Sequence, residues 1–291
     1  MGSTAPDTAS AVAASGFIDL DWNGRPVRLE TRWVGVAASP HPVVVFLHEG
    51  LGSVAQWRDF PDRFCRANGL RGFVYSRPGY GNSTPRAAGE HWNPDFMHRQ
   101  AVEVLPMLLR SAGIARPWLF GHSDGGSIAL LYAAHAGAEA NGDISGVVAL
   151  APHVFTEEVS VRSIEAVRTA YLEPQGSLKS GLARYHADPD SAFWGWNDAW
   201  LAPDFRAWNI EADIAAIACP LLLVQGEGDE YGTLEQIERI QRAVPHARCL
   251  VLPDCGHAPQ RDQAEKVITE AGRFIIQPGV KAEPKANQET T

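Results

Sequence analysis

The sequence predicts an α/β protein, with a mostly parallel sheet of about eight strands flanked on both faces by helices. Three observations carry this. Short apolar, β-branched runs alternate with helical stretches along most of the chain. Several of these runs, Val43 to Leu47 among them, are apolar without a break, as in strands buried on both faces. The 291 residues, 45% of them hydrophobic, suffice for one large core of this kind.

Residues 1–15 are rich in Ala, Ser and Thr and read as a disordered tail. They place no basic region ahead of an apolar core, so by that test they are not a signal peptide. Gly16 to Leu20 and Val27 to Val36 read as strands joined at Asn23-Gly24, a strong hairpin signal. Val43 to Leu47 is the next strand, and the loop His48-Glu49-Gly50-Leu51-Gly52-Ser53 follows it. A helix is expected over Val54 to Asn68, kinked or divided by Pro61. Gly72 to Tyr75 is a short strand before the loop from Ser76 to Ser83. Pro94 to Ala112 reads as a helix with an interior Pro106, and Trp118 to Phe120 as a strand. Ser145 to Leu150, Pro220 to Gln225 and Ala247 to Leu252 complete the strands. Thr233 to Val244 and Gln263 to Ile275 are helical, and residues 277–291 form a polar, disordered tail. The core is thus expected over 16–152 and 211–276.

Residues 153–210 break the alternation, with no clear buried strand. They are helical in parts and rich in aromatic residues, with Trp194, Trp196, Trp200 and Trp208 close together. An insertion of this length, placed before the last two strands, reads as a helical lid. The alternative is a packing layer whose tryptophans face only the core.

Composition excludes several functions. The net charge of −9, with no compensating basic block, argues against a nucleic-acid partner. No apolar run approaches a membrane span. Cys65, Cys219, Cys249 and Cys255 have neither metal nor framework spacing, so a cytoplasmic enzyme with reduced thiols is expected. No other cluster has metal-ligand spacing and no dinucleotide fingerprint is present, so neither metal nor cofactor is implied. A small-molecule substrate is expected; the oligomeric state is left open.

The chemistry centres on Gly121-His122-Ser123-Asp124-Gly125, a Gly-x-Ser-x-Gly segment with a strand before it and a helix after it. A sharp turn there holds the serine hydroxyl clear of the backbone, at the positive end of a helix. A serine is a poor nucleophile at neutral pH and needs a base, which in turn needs an orienting group. Reactive residues of open parallel sheets lie beyond the carboxyl ends of strands. Asp229 and His257 follow two consecutive predicted strands, at the same sheet edge as Ser123. Glu227, Glu230 and Asp254 compete for the acid's place and read as surface or bracing groups.

These pieces, with His48-x-Gly50 and the loop Arg77-Pro78-Gly79-Tyr80-Gly81-Asn82-Ser83, give the chain from about Gly16 to Ile276 a resemblance to lid-bearing serine hydrolases of the α/β-hydrolase superfamily. The resemblance implies an oxyanion hole made by the backbone N–H groups of Asp124 and Gly50. Glu49 departs from the family, where glycine is common, and brings a carboxylate near the site that Arg77 and Asp124 could share. His48 is expected to brace the loop, His122 to pack against neighbouring loops, and Glu49, His153, Trp194, Trp196 and Trp200 to border the substrate. The expected activity is hydrolysis of a carboxylic ester or lactone of a small apolar substrate. Alternatives are carbon–carbon hydrolysis of ring-cleavage products, an aminopeptidase or amidase, and a non-catalytic small-molecule receptor. Dehalogenase and epoxide-hydrolase chemistry is disfavoured, because those relatives carry Asp where Ser123 stands.

Overall fold

The computed structural model describes residues 14–87, 89–138, 144–174 and 177–277. Its centre is an eight-stranded sheet in the order β1-β2-β4-β3-β5-β6-β7-β8. The strands are β1 (Ala14–Trp22), β2 (Arg25–Gly35), β3 (Val44–Leu47), β4 (Arg71–Tyr75), β5 (Trp118–His122), β6 (Gly146–Leu150), β7 (Leu221–Gly226) and β8 (Arg248–Leu252). β1, β2 and β4 pair antiparallel and every other neighbouring pair is parallel. The first hairpin turns at Asn23 (φ 55°) and Gly24 (φ 78°), both in the left-handed region a two-residue turn of this hand requires.

Side chains alternate across the sheet, as the pleat dictates. Val45, Leu47, Leu119, Val147 and Leu223 pack on one face beneath α3 (Leu105–Ser111), α4 (Asp124–Ala138) and α9 (Glu235–Ala243). Phe46, Val74, Phe120, Val148 and Val224 pack on the other, against α1 (Phe60–Ala67) and α11 (Ala264–Ile276). α4 is buried at every residue from Asp124 to Ala134. Its apolar surface on all sides is what a helix surrounded by other elements needs.

Three local expectations are corrected. Ala14 and Ser15 belong to β1, paired with Trp33 and Arg32, and are no part of a tail. The remaining tail residues, 1–13 and 278–291, lie outside the described residues. Pro61 neither kinks nor divides a helix: residues 54–59 form turns and loop, and α1 begins at Phe60 with Pro61 in its first turn, where a missing N–H costs nothing. The helix carrying Pro106 runs as α2 (Phe96–Arg99), a π-helical turn (Gln100–Val104) and α3. The wider turn lies where the proline ring would otherwise meet the carbonyl four residues earlier.

Between β6 and β7 the chain leaves the sheet as a helical insertion: α5 (Glu158–Leu172), α6 (Ser177–Leu182), α7 (Pro189–Leu201) and a 3-10 turn (Pro203–Ala207). A bridge between Phe155 and Asn209 closes its base. Asp188 caps α7 by accepting from the Ser191 amide at 2.8 Å, with Pro189 in the first turn. α8 (Glu211–Ile214) returns the chain to β7, and α10 (Pro259–Asp262) precedes α11.

Candidate active site

Ser123 stands between β5 and α4 with φ 54°, a left-handed conformation that residues with a side chain rarely adopt. The glycines around it have no room for more. A Cβ on Gly121 would sit 2.2 Å from the Gly125 carbonyl, and one on Gly125 would sit 2.1 Å from the Leu47 carbonyl. The Ser123 carbonyl accepts from Gly126 N (2.8 Å) and Ser127 N (3.0 Å), which starts α4 at Asp124. The amide of Asp124 is one of the helix's first N–H groups, which have no partner within the helix.

His257 Nε2 lies 2.9 Å from Ser123 Oγ, and its Nδ1 lies 2.8 and 2.9 Å from the two carboxylate oxygens of Asp229. Asp229 is itself fixed. Its Oδ1 accepts from Tyr231 N and Gly232 N, and its Oδ2 accepts from Gln225 Nε2 at 2.7 Å. Burial pushes the Asp229 carboxyl up, but the His257 contact and the Tyr231 amide outweigh it and hold the carboxyl below its ordinary value. The two loops are stitched together by backbone, with Gly228 N donating to Cys255 O at 2.9 Å and Glu227 N to Leu252 O at 2.9 Å. Of the competing acids, Glu227 and Asp254 are exposed, while Glu230 accepts from the His257 amide at 3.1 Å.

The loop after β3 lies beside the elbow. The Glu49 carbonyl is held three times: by His48 Nδ1 (2.7 Å), Arg77 Nη2 (2.8 Å) and Gly52 N (3.0 Å). His48 Nε2 accepts from Arg77 N at 3.0 Å, so the proton is on Nδ1 and is donated to Glu49. Burial and the neighbouring Arg77 hold His48 well below its usual value, and therefore neutral. Among the described residues nothing accepts from the Gly50 amide. Arg77 also stands 3.7 Å from Asp124 Oδ2, each side chain being 1% exposed. Burial raises the Asp124 carboxyl despite this cation.

The flanking residues divide. Trp196 and Trp200 are four apart on α7 and so share a face. Trp196 packs its indole on Gly50, and Trp200 Nε1 donates to Asp124 Oδ1 at 3.1 Å. Trp194, about 200° around the helix from Trp196, points elsewhere. It stands edge-on to Tyr171, with Arg168 over its ring, and lines an outer groove with Leu172, Pro174 and Pro189. Trp194 thus lies on a different face of α7 from Trp196 and Trp200. His153 is buried between Trp200 and His257, ring centroids 5.1 and 5.7 Å away, and its backbone is clamped on Ser127 Oγ. Burial first, then the charge of His257, pushes it down to about 3.

Glu49 does not share the Arg77–Asp124 pair, since Arg77 takes its carbonyl instead. Its carboxylate meets Arg261 (3.2 Å) and His122 (3.5 Å). Burial acts to raise it, and these two partners more than reverse that. His122 Nε2 in turn lies 2.7 Å from the His257 carbonyl. Glu49 thus reaches the site through His122.

Gln225 and Tyr231 were not singled out from sequence as supports of the site, and Arg77 was expected on the Glu49 carboxylate, not on its carbonyl. Gln225 had a visible signal, an amide ending the apolar run of β7. The Tyr231 ring, 4.7 Å from that of His257, had none. All four cysteines are free. Among the described residues no group of His, Cys, Asp and Glu could hold a metal ion, and no helix is long and apolar enough to cross a membrane.

A sheet of this order, with a serine at the turn after its fifth strand, defines the α/β-hydrolase architecture. Residues 44–271 match the sequence profile of the alpha/beta hydrolase family, and the chain belongs to that family. Solved structures share the fold at low identity. A thermophilic esterase from Thermogutta terrifontis is 17% identical over 91% of this chain and all of its own, with a TM-score of 0.68. A carboxylesterase from Bacillus subtilis is 18% identical, covering 92% of this chain and 93% of that one, with a TM-score of 0.66. A proline iminopeptidase from Mycobacterium smegmatis is 16% identical over 90% and 98%, with a TM-score of 0.69.

Proposed function

We propose that this protein is a serine hydrolase that cleaves a carboxylic ester or lactone of a small apolar substrate through an acyl-enzyme. The observation that carries the reading is the unbroken contact from Asp229 through His257 to Ser123 Oγ, on a serine at a helix N-terminus. Ser123 attacks the carbonyl while His257 Nε2 takes its proton. Asp229 keeps the His257 proton on Nδ1 and offsets the imidazolium charge. The negative oxygen of the tetrahedral intermediate sits between the amides of Gly50 and Asp124. His257 returns the proton to the leaving alcohol, and then activates a water that frees the acid. The insertion between β6 and β7 acts as the lid, and Trp196 and Trp200 form its inner surface.

The apolar preference is supported by the surroundings of Ser123. Indoles from α7 pack on Gly50 and Asp124 beside it, and Arg77, the one buried cation among the described residues there, is already committed to Glu49 and Asp124. The test is a comparison of kcat/KM for p-nitrophenyl acetate, butyrate, benzoate and succinate monoester, a small lactone, a p-nitroanilide and an aryl diketo acid. Acetate, butyrate or benzoate is expected to lead. A lead for the anilide would favour an amidase, and cleavage of the diketo acid alone a carbon–carbon hydrolase. Binding of these compounds without turnover would favour the receptor reading.

A further inference from the structure

Among the described residues Arg77 is the one buried arginine or lysine, it stands beside the nucleophile elbow, and its shortest polar contact is with a carbonyl. We infer that Arg77 is a positioning residue that aligns both oxyanion donors at once, an assignment that rests on the hydrolase reading above. The argument begins with the peptide between Glu49 and Gly50. A trans peptide is planar, so its C=O and N–H point in opposite directions. Whatever fixes the Glu49 carbonyl therefore aims the Gly50 amide. Arg77 Nη2 holds that carbonyl at 2.8 Å from the side of the protein interior, assisted by His48 Nδ1 and Gly52 N.

The same guanidinium stands 3.7 Å from Asp124 Oδ2. Asp124 is the residue whose own amide is the second donor, at the first position of α4. Its other oxygen takes the Trp200 indole, so the side chain is held from two directions. Arg77 is thus the only described cation that touches both residues supplying the hole. At 3.7 Å the contact with Asp124 is ionic and too long for a hydrogen bond. Arg77 Nε and Asp124 Oδ2 have no hydrogen-bond partner among the described residues. A guanidinium placed only to neutralise Asp124 would be expected to close on it with a bidentate pair. Instead it gives its one short side-chain bond to a backbone oxygen, and lays its plane over Tyr80, 4.7 Å from the ring centre.

Glu49 explains why this loop needs such a clamp. Its carboxylate is drawn toward Arg261 and His122, away from Arg77. The clamp on the carbonyl fixes the peptide plane, while the side chain is anchored separately on Arg261 and His122.

The experiment uses p-nitrophenyl acetate for turnover and trifluoroacetone as a probe of the oxyanion, because its adduct with a serine carries a negative oxygen. In Arg77→Met, kcat is expected to fall roughly 10- to 100-fold with KM within about threefold, less than the loss of a donor outright. The inhibition constant for trifluoroacetone should rise by a similar factor. Arg77→Lys should recover part of both, since an ammonium reaches one of the two partners. Arg77→Met leaves Asp124 buried without its cation, and the protein could fail to fold. Arg77→Met/Asp124→Asn removes both charges and should show the same loss of kcat in a folded protein. A kcat within about twofold of wild type in the folded variants would overturn the assignment, as would a loss confined to KM with trifluoroacetone binding unmoved. If instead Ser123→Ala retains wild-type turnover, the hydrolase reading itself fails, and the role of Arg77 falls with it.

Discussion

His153 and Asp229 lie on either side of His257, and their protonation is biased in ways that stability measurements can read. The Asp229 carboxyl is held below its ordinary value, so its contribution is full at neutral pH and is lost as pH falls through the lowered value. His153 is depressed to about 3 from 6.5. Between those values the unfolded chain binds a proton that the folded one refuses, so stability falls as pH falls through that window. Replacing His153 by Leu removes the effect. The stability advantage of wild type over His153→Leu is expected to shrink by ~2–3 kcal/mol between pH 7 and 4.5, measured by urea unfolding. An advantage that stays constant across that range would show that His153 takes up its proton without cost in the folded state.

At the scale of elements, the argument turns on one helix. α7 presents Trp196 and Trp200 to the elbow and turns Trp194 to an outer groove, because positions four apart share a face and positions two apart do not. Trp196→Ala is therefore expected to change the ranking of acetate, butyrate and benzoate esters by about tenfold or more, since an indole is a large share of any apolar wall. Trp194→Ala should leave the ranking within about twofold and act only on stability. Steady-state kinetics on the ester series separates the two, and equal effects would contradict the assignment of faces. The sequence marked these tryptophans as a group but could not sort them, since the start of α7 depends on the Asp188 cap and Pro189. The elbow was far more legible. Its glycines, the preceding apolar strand and the following small-residue helix all encode one local geometry, and that geometry is found.

For the whole molecule, what was legible followed the range of the interactions. Strand positions come from local apolar runs and agree within about two residues at nearly every end. The order of strands depends on partners far apart in sequence. Nothing in Gly72 to Tyr75 announces that β4 lies between β2 and β3. The placement of Asp229 and His257 beyond consecutive strands was readable because parallel strands bring their carboxyl ends to one edge. The bond from Arg77 to the Glu49 carbonyl was not, because the two loops meet only in the folded sheet, and the bond from Gln225 to Asp229 Oδ2, though only four residues long, depends on how the loop after β7 turns the carboxylate back. The carboxylate of Glu49 was expected to share a charge network with Arg77 and Asp124, and lies instead on Arg261 of α10 and beside His122, partners that only the folded chain brings to it.

The central claim is that Ser123 is the nucleophile of this hydrolase. The most direct measurement is kcat/KM of Ser123→Ala against wild type on the best ester of the series, with circular dichroism showing that the variant is folded. The account predicts a fall of about a thousandfold or more, leaving only what the oxyanion hole and binding supply. A folded Ser123→Ala protein whose kcat/KM stays within about tenfold of wild type would contradict it.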